Sequence, residues 1–220
     1  MKFGFILKSK SPSCGLERVK KYNLEGNPLP YTGKGLFALE FLKLFPQIPV
    51  IDDGRLHDAK LKENFIQSIF VINHWKIFSD NDPGMSGLFA FHKNHKTLLM
   101  THSLYKTKLL EHIISHDNLP FSRKMSLYER ILCHTLKIQS TRQRITNVLR
   151  YYLLYLKKNL SINDQNELRM LIAGYYKGYI PLIAPITLIK HHARMDDKDY
   201  LKHQVFLNPY PDELKLRNSI

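Results

Sequence analysis

From Ser86 onward the apolar residues recur almost wholly at helical spacing, and this constrains the fold more than any other feature of the chain. The spacing predicts helices over 87–115, 125–138 and 142–159, with a loop at Asn118-Leu119-Pro120. Ser161-Ile162-Asn163-Asp164 has the form of a capping box, in which the serine hydroxyl and the acidic side chain satisfy free N–H groups. The helix it opens should run to about Tyr176 and stop near Gly178. Pro181 fits a first-turn position, while Pro185 must kink the next helix or delay its start. A short helix over 198–205 should precede the turn-rich tail Asn208-Pro209-Tyr210-Pro211. No internal repeat at solenoid periods is visible.

The first 78 residues read differently. Gly4-Phe5-Ile6-Leu7 suits a short buried strand, followed by a loop over 9–15 and another, rich in Gly and Pro, over 26–35. A helix is expected over 36–45, ending before Pro46, then a short strand at Ile48-Pro49-Val50-Ile51. Leu61, Phe65, Ile69, Ile72 and Trp75 place a helix over 58–78. Asn81-Asp82-Pro83-Gly84 is the strongest boundary signal. The expected fold class is therefore mainly α: a helical bundle domain over 86–220, preceded by a small incomplete α/β segment over 1–80.

Composition narrows the partners. A chain of 220 residues suits one domain or two small ones, and 44% hydrophobic content excludes disordered and collagen-like classes. There is no apolar run of about 18 residues, so no membrane span is expected, and the apolar run near the start is too short for a signal-peptide core. Two cysteines, Cys14 and Cys133, cannot make a disulfide framework, which points to a reducing cytoplasm. The net charge of +14 is unevenly placed. Residues 1–86 carry 12 basic and 9 acidic side chains and residues 159–220 carry 8 and 7, whereas residues 87–158 carry 13 and 3, a net +10. Such a stretch suits a polyanionic partner, or is simply a solvated basic face.

Four constellations could carry chemistry. His92, His95 and His102 form one stripe of a helix, flanked by Lys96, Ser103 and Lys106. Their spacing is not that of zincins, and no carboxylate lies between them, which argues against a metal. Histidines bonded within a bundle and histidines contacting phosphate or moving protons both remain open readings. Arg142, Arg144, Asn147 and Arg150 surround a helix start and suit an RNA backbone, with Tyr151, Tyr152 and Tyr155 following as core or rim residues. Lys190-His191-His192-Ala193-Arg194 closes a helix, where positive side chains complement the helix C-terminus. Cys14 stands between Ser13 and Gly15 in a loop that could offer a thiolate to a metal, whereas Cys133 reads as a small apolar residue of a helix.

Residues 87–220 resemble the bacterial YbgA-like domain of unknown function, through FHKNHKTLLMTHS (91–103), TRQRITNVLRYYLLYLKK (141–158), GYIPLIAPITLIKHH (178–192) and FLNPYPDELKLRN (206–218). Residues 1–78 are similar to the C-terminal part of the thiouracil-desulfidase type of domain, through FILKSKSPSCGLERV, GLFALEFLKLFP and DDGRLHDAKLKENFI. Fused proteins with both parts look like the RudS-type desulfidase, which removes sulfur from thiolated uridine in tRNA with an iron–sulfur cluster. The resemblance implies that Cys14 matches the last of three cluster ligands and that Ser11 and Ser13 belong to the polar catalytic loop. The two earlier cysteines belong to a segment absent from this sequence, as in a short form, a gene split from an upstream partner or a truncated reading frame. No cofactor is then expected on this chain alone, and a [4Fe–4S] cluster only with a partner segment. The missing sheet should leave apolar surface exposed in residues 1–78.

These readings converge on a cytoplasmic, mainly α-helical, tRNA-directed RNA-binding protein carrying the remnant of a desulfidase domain. Lys96, Arg142, Arg144, Arg150 and Lys190 are the expected phosphate contacts, with Asn147 beside them. His92, His95, His102 and His191 are the candidates for orienting a nucleotide. The rivals are a desulfidase completed by the upstream half on a separate polypeptide, and an interaction module whose basic face meets an acidic protein.

Overall fold

The structure, a computed structural model, describes residues 4–81, 83–195, 199–218 and 220, and the chain divides into two compact units, 1–73 and 74–220. In the first unit, strand β1 (Phe5–Leu7) pairs in parallel with a strand late in the unit, numbered β4 below (Val50–Asp52), with Phe5 opposite Val50 and Leu7 opposite Asp52. Between them lie an antiparallel pair, β2 (Val19–Tyr22) and β3 (Pro28–Gly33), and helix α1 (Leu36–Leu44). The pair β2–β3 replaces part of the loop expected over 26–35. Its prolines hid it, because proline reads against a strand; Pro28, however, opens β3 opposite Tyr22, an end position that tolerates proline. Asn23 makes the turn, its Oδ1 accepting from the N–H groups of Glu25 and Asn27, while Gly26 takes the left-handed conformation at φ +82°.

Leu7, Leu16 and Ala38 form a small buried cluster of the α/β unit, with Phe5, Cys14, Leu42 and Val50 packed around it. Helix α2 (Ala59–Asp80) is capped by Asp58, whose Oδ1 accepts from the N–H groups of Lys60 and Leu61. Of the boundary signal near it, Asp82 lies outside the described residues.

The second unit is all helical: α3 (Met85–His102), α4 (Leu104–Ser115), α5 (Phe121–Leu136), α6 (Arg142–Leu156), α7 (Ile162–Lys177), α8 (Ile183–Met195) and α9 (Asp199–Lys202), with two 3-10 turns at Asp212–Leu214 and Leu216–Asn218. The described residues are thus mainly α. The single helix expected over 87–115 is two, because Ser103 adopts an extended backbone (φ −161°, ψ 112°) and its hydroxyl accepts from the Lys106 N–H to cap α4. Apolar spacing continues through such a break, so periodicity alone does not show it. Ser161 caps α7 by accepting from the Asp164 N–H, while its hydroxyl donates to the Asp164 carboxylate (2.7 Å). Gly178, at φ +85°, ends α7, and α8 starts late enough to put Pro185 in its first turn. Lys198, expected to open the last short helix, lies outside the described residues.

Leu88, Leu98 and Leu99 of α3, Leu110 of α4, Leu132 of α5, Leu149 and Leu156 of α6 and Leu168 of α7 are fully buried. A polar chain crosses this core: Tyr152 Oη donates to Thr97 Oγ1 (2.6 Å), Thr97 Oγ1 to Gln204 Oε1 (2.8 Å) and Gln204 Nε2 to the Lys93 carbonyl (3.0 Å). It fastens the C-terminal tail to α3 with its buried polar groups paired. Among the described residues, no helix is long and apolar enough to cross a membrane.

Candidate nucleic-acid interface

The histidine stripe of α3 divides by depth. His95 is buried, its Nδ1 donating to the Phe91 carbonyl (2.8 Å) and its ring stacked on Phe91. Burial pushes its pKa down to about 3, against the Phe91 hydrogen bond. His102 is fully buried, its Nδ1 donates to the Ile138 carbonyl (2.6 Å), and burial pushes it down to about 4. Both rings are neutral at physiological pH and placed in the bundle interior, away from any solvent-borne phosphate. His92 is different: although buried, it lines an open cleft.

The cleft has a volume of about 450 Å³. Phe89, His92, Lys93 and Lys96 of α3 line it, with Glu111 of α4, Tyr151 and Tyr155 of α6, and Tyr200 of α9. Helical spacing brings the α3 residues to one side, since positions three and four apart share a face. Tyr200 arrives from far along the chain and packs on Tyr155 (ring centroids 5.1 Å), its hydroxyl 3.4 Å from that of Tyr151. Lys93 Nζ stands 5.6 Å over the Tyr200 ring. Lys96 Nζ pairs with Glu111 Oε1 at 2.6 Å, and the same oxygen lies 3.7 Å from His92 Nε2. The pair is half exposed, and such pairs contribute only about 0.2–1 kcal/mol. Partial burial opposes ionisation of Glu111, but Lys96 outweighs it, so the carboxyl sits below its usual range. Burial lowers His92 as well, partly offset by Glu111.

The α6 residues also separate. Arg142 donates through Nη1 to the Tyr175 carbonyl (2.8 Å) and lies on the Tyr175 ring, tying the start of α6 to the end of α7. Arg144 spends its fork on Thr141 Oγ1 (3.1 Å) and the Gln139 carbonyl (2.7 Å). Asn147 and Arg150 are exposed, with Asn147 Oδ1 accepting from Gln143. On α8, Lys190 Nζ lies 3.6 Å from Asp212, and His191 is exposed beside His192. Neither belongs to the cleft lining. Sequence reasoning named His92 and Lys96 but passed over Phe89, Lys93, Glu111 and Tyr200. The i, i+4, i+7 spacing of Phe89, Lys93 and Lys96 was an available signal, whereas nothing local links Tyr200 to them.

In the α/β unit, Ser11 Oγ accepts from the Cys14 N–H (3.2 Å) and the Ser11 carbonyl from the Gly15 N–H (2.8 Å), so Ser11 shapes the loop. Ser13 is exposed, its Oγ 3.7 Å from Cys14 Sγ. The loop is held close to the start of α1, where a Cβ on Gly35 would fall 2.1 Å from the Ser13 carbonyl oxygen. Cys14 is a free, half-buried thiol, and Cys133 is buried, its thiol pushed up to about 12 by burial. Among the described residues no three His, Cys, Asp or Glu side chains are grouped to hold a metal, so this donor set does not fit an iron–sulfur cluster.

Comparison with known proteins gives two matches. The family described as "Protein of unknown function (DUF1722)" matches residues 96–211, from the middle of α3 to the C-terminal tail. The chain is also similar to the "Uncharacterized protein YbgA" of Escherichia coli (strain K12), with 22% identity over 153 residues, covering 69% of this chain and 90% of that protein. No solved structure matches the chain.

Proposed function

The chain belongs to the DUF1722 family, and from that premise we propose that its helical unit is an RNA-binding module directed to tRNA. The cleft carries this reading. Phe89, Tyr151, Tyr155 and Tyr200 offer ring faces or edges to an unpaired base, and base–aromatic stacking is worth about 1–3 kcal/mol per base. Lys93 and Lys96 stand at its edge, and Arg150 is exposed beside Tyr151 on α6. The net +10 of residues 87–158 supplies the longer-range attraction. Because Arg142 and Arg144 hold protein carbonyls, the phosphate contacts fall chiefly to Lys93, Lys96 and Arg150. Titration of tRNA against salt tests this: affinity should fall steeply, and Lys93→Ala and Arg150→Ala should each lower the log–log slope by about one. Salt-independent or absent tRNA binding overturns it.

A second reading, a desulfidase completed by another polypeptide, is favoured by the apolar surface of the α/β unit. Ile6, Leu36, Leu44 and Phe45 are exposed around a parallel sheet that has two strands among the described residues. Parallel sheets are stable when both faces are covered. In this reading a partner covers them, supplies two cysteines and shares a [4Fe–4S] cluster with Cys14. Anaerobic co-expression with the upstream neighbour should then give an oxygen-sensitive brown complex, and a colourless one overturns the reading.

A further inference from the structure

Glu111 occupies the position in the cleft that an anion would take. It is one of only three acidic residues in the 87–158 stretch, yet its Oε1 faces both Lys96 Nζ (2.6 Å) and His92 Nε2 (3.7 Å). The tautomer of His92 follows from its other side. Tyr128 is fully buried, and its hydroxyl lies 3.0 Å from His92 Nδ1 with no other partner among the described residues. A buried hydroxyl gives its proton to an available acceptor. Nδ1 therefore accepts, and Nε2 carries hydrogen. That Nε2–H is buried with no hydrogen-bond partner, 3.7 Å being too long for a bond. A donor is thus left unpaired beside a half-exposed ion pair that is cheap to open, at the floor of a cleft walled by three tyrosines.

We propose that this cleft is a binding site for a nucleoside phosphate, in which phosphate oxygens replace the Glu111 carboxylate on Lys96 Nζ and His92 Nε2–H while the base lies against Tyr151, Tyr155 and Tyr200. Glu111 is an internal competitor. It neutralises Lys96 in the free protein and swings aside when a phosphate, which can reach both donors at once, arrives. The volume of about 450 Å³ is in the range of small-ligand sites. The assignment rests on the RNA reading, since the phosphate would belong to one unpaired nucleotide of the bound strand.

The single tryptophan provides the readout. Trp75 stacks on Tyr128 (4.9 Å, 15° between planes), which bonds His92, so a ligand at His92 should alter Trp75 emission. The full chain is titrated with uridine and adenosine 5′-monophosphates, with uridine, and with tRNA. Glu111→Gln should tighten monophosphate binding by about three- to fivefold, the worth of an exposed ion pair. Glu129→Gln, an exposed acid of the same basic stretch, should leave it unchanged. Uridine should bind at least about tenfold more weakly than its monophosphate, the loss of one charge-assisted contact. Equal or weaker monophosphate binding by Glu111→Gln, or uridine binding as tightly as its phosphate, overturns the assignment. Salt-dependent tRNA binding with no effect of Glu111→Gln overturns this site alone, whereas tighter monophosphate binding without tRNA binding overturns the RNA reading and keeps the site.

Discussion

Two leucines compare the units directly. Leu98 of α3 is fully buried in the helical unit, while Leu36 of α1 in the α/β unit is 78% exposed. The helical unit closes its apolar stripes on one another, α3 against α4, α5 and α6, and leaves single apolar side chains such as Leu154 and Ile162 outside among charges and tyrosine rings. In the α/β unit the cluster around Leu7, Leu16 and Ala38 is small, and Ile6, Leu44 and Phe45 join Leu36 at the surface. The difference follows from how each kind of element covers its apolar side. Helices satisfy their own backbone and need only one covered face, whereas a parallel sheet of two strands needs cover on both.

The largest expected effect lies in that contrast. Leu98→Ala should cost about 2–5 kcal/mol of unfolding free energy in urea titration, and Leu36→Ala no more than about 0.5 kcal/mol. Equal effects would mean that α1 is covered in solution.

The buried histidines come next. Their folded pKa values, about 3 for His95 and about 4 for His102, lie below the unfolded value of about 6.5. The unfolded chain therefore binds more protons as pH falls. Stability should be complete above about pH 6.5 and decline from there towards pH 4, by up to about 1.4 kcal/mol per pH unit for each ring. Thermal melts across this range should show the decline, and His102→Gln should flatten it.

A third contrast is within α6. Arg142→Ala should cost about 1–3 kcal/mol by removing the bond to the Tyr175 carbonyl, and Arg142→Lys should not restore it fully, lacking the planar guanidinium that lies on the Tyr175 ring. Arg150→Ala should leave the melting temperature unchanged and act on RNA affinity alone.

Much of this was legible in the sequence where local physics decides. The capping of α7 by Ser161, its stop at Gly178 and the delayed start forced by Pro185 were all readable, because caps and prolines act within a turn or two. The break at Ser103 was not, since apolar spacing runs on through a capped junction. Nor was β2–β3, where Pro28 masked a strand end. The cleft was half visible: His92 and Lys96 stood out by type, but Tyr200 joins them only through the tail that Gln204 pins to α3. By type and position Arg142 matched a phosphate contact, yet a carbonyl at the end of another helix, invisible to local pattern, accepts from its Nη1.

RNA binding itself is read from the salt dependence of tRNA affinity for the full chain and for Lys93→Ala/Arg150→Ala. The double substitution touches exposed side chains only, so the fold should be unchanged. Log affinity should fall steeply and linearly with log salt, with a slope shallower by about two in the variant. A flat dependence in the parent chain, or an identical slope in the variant, would contradict it.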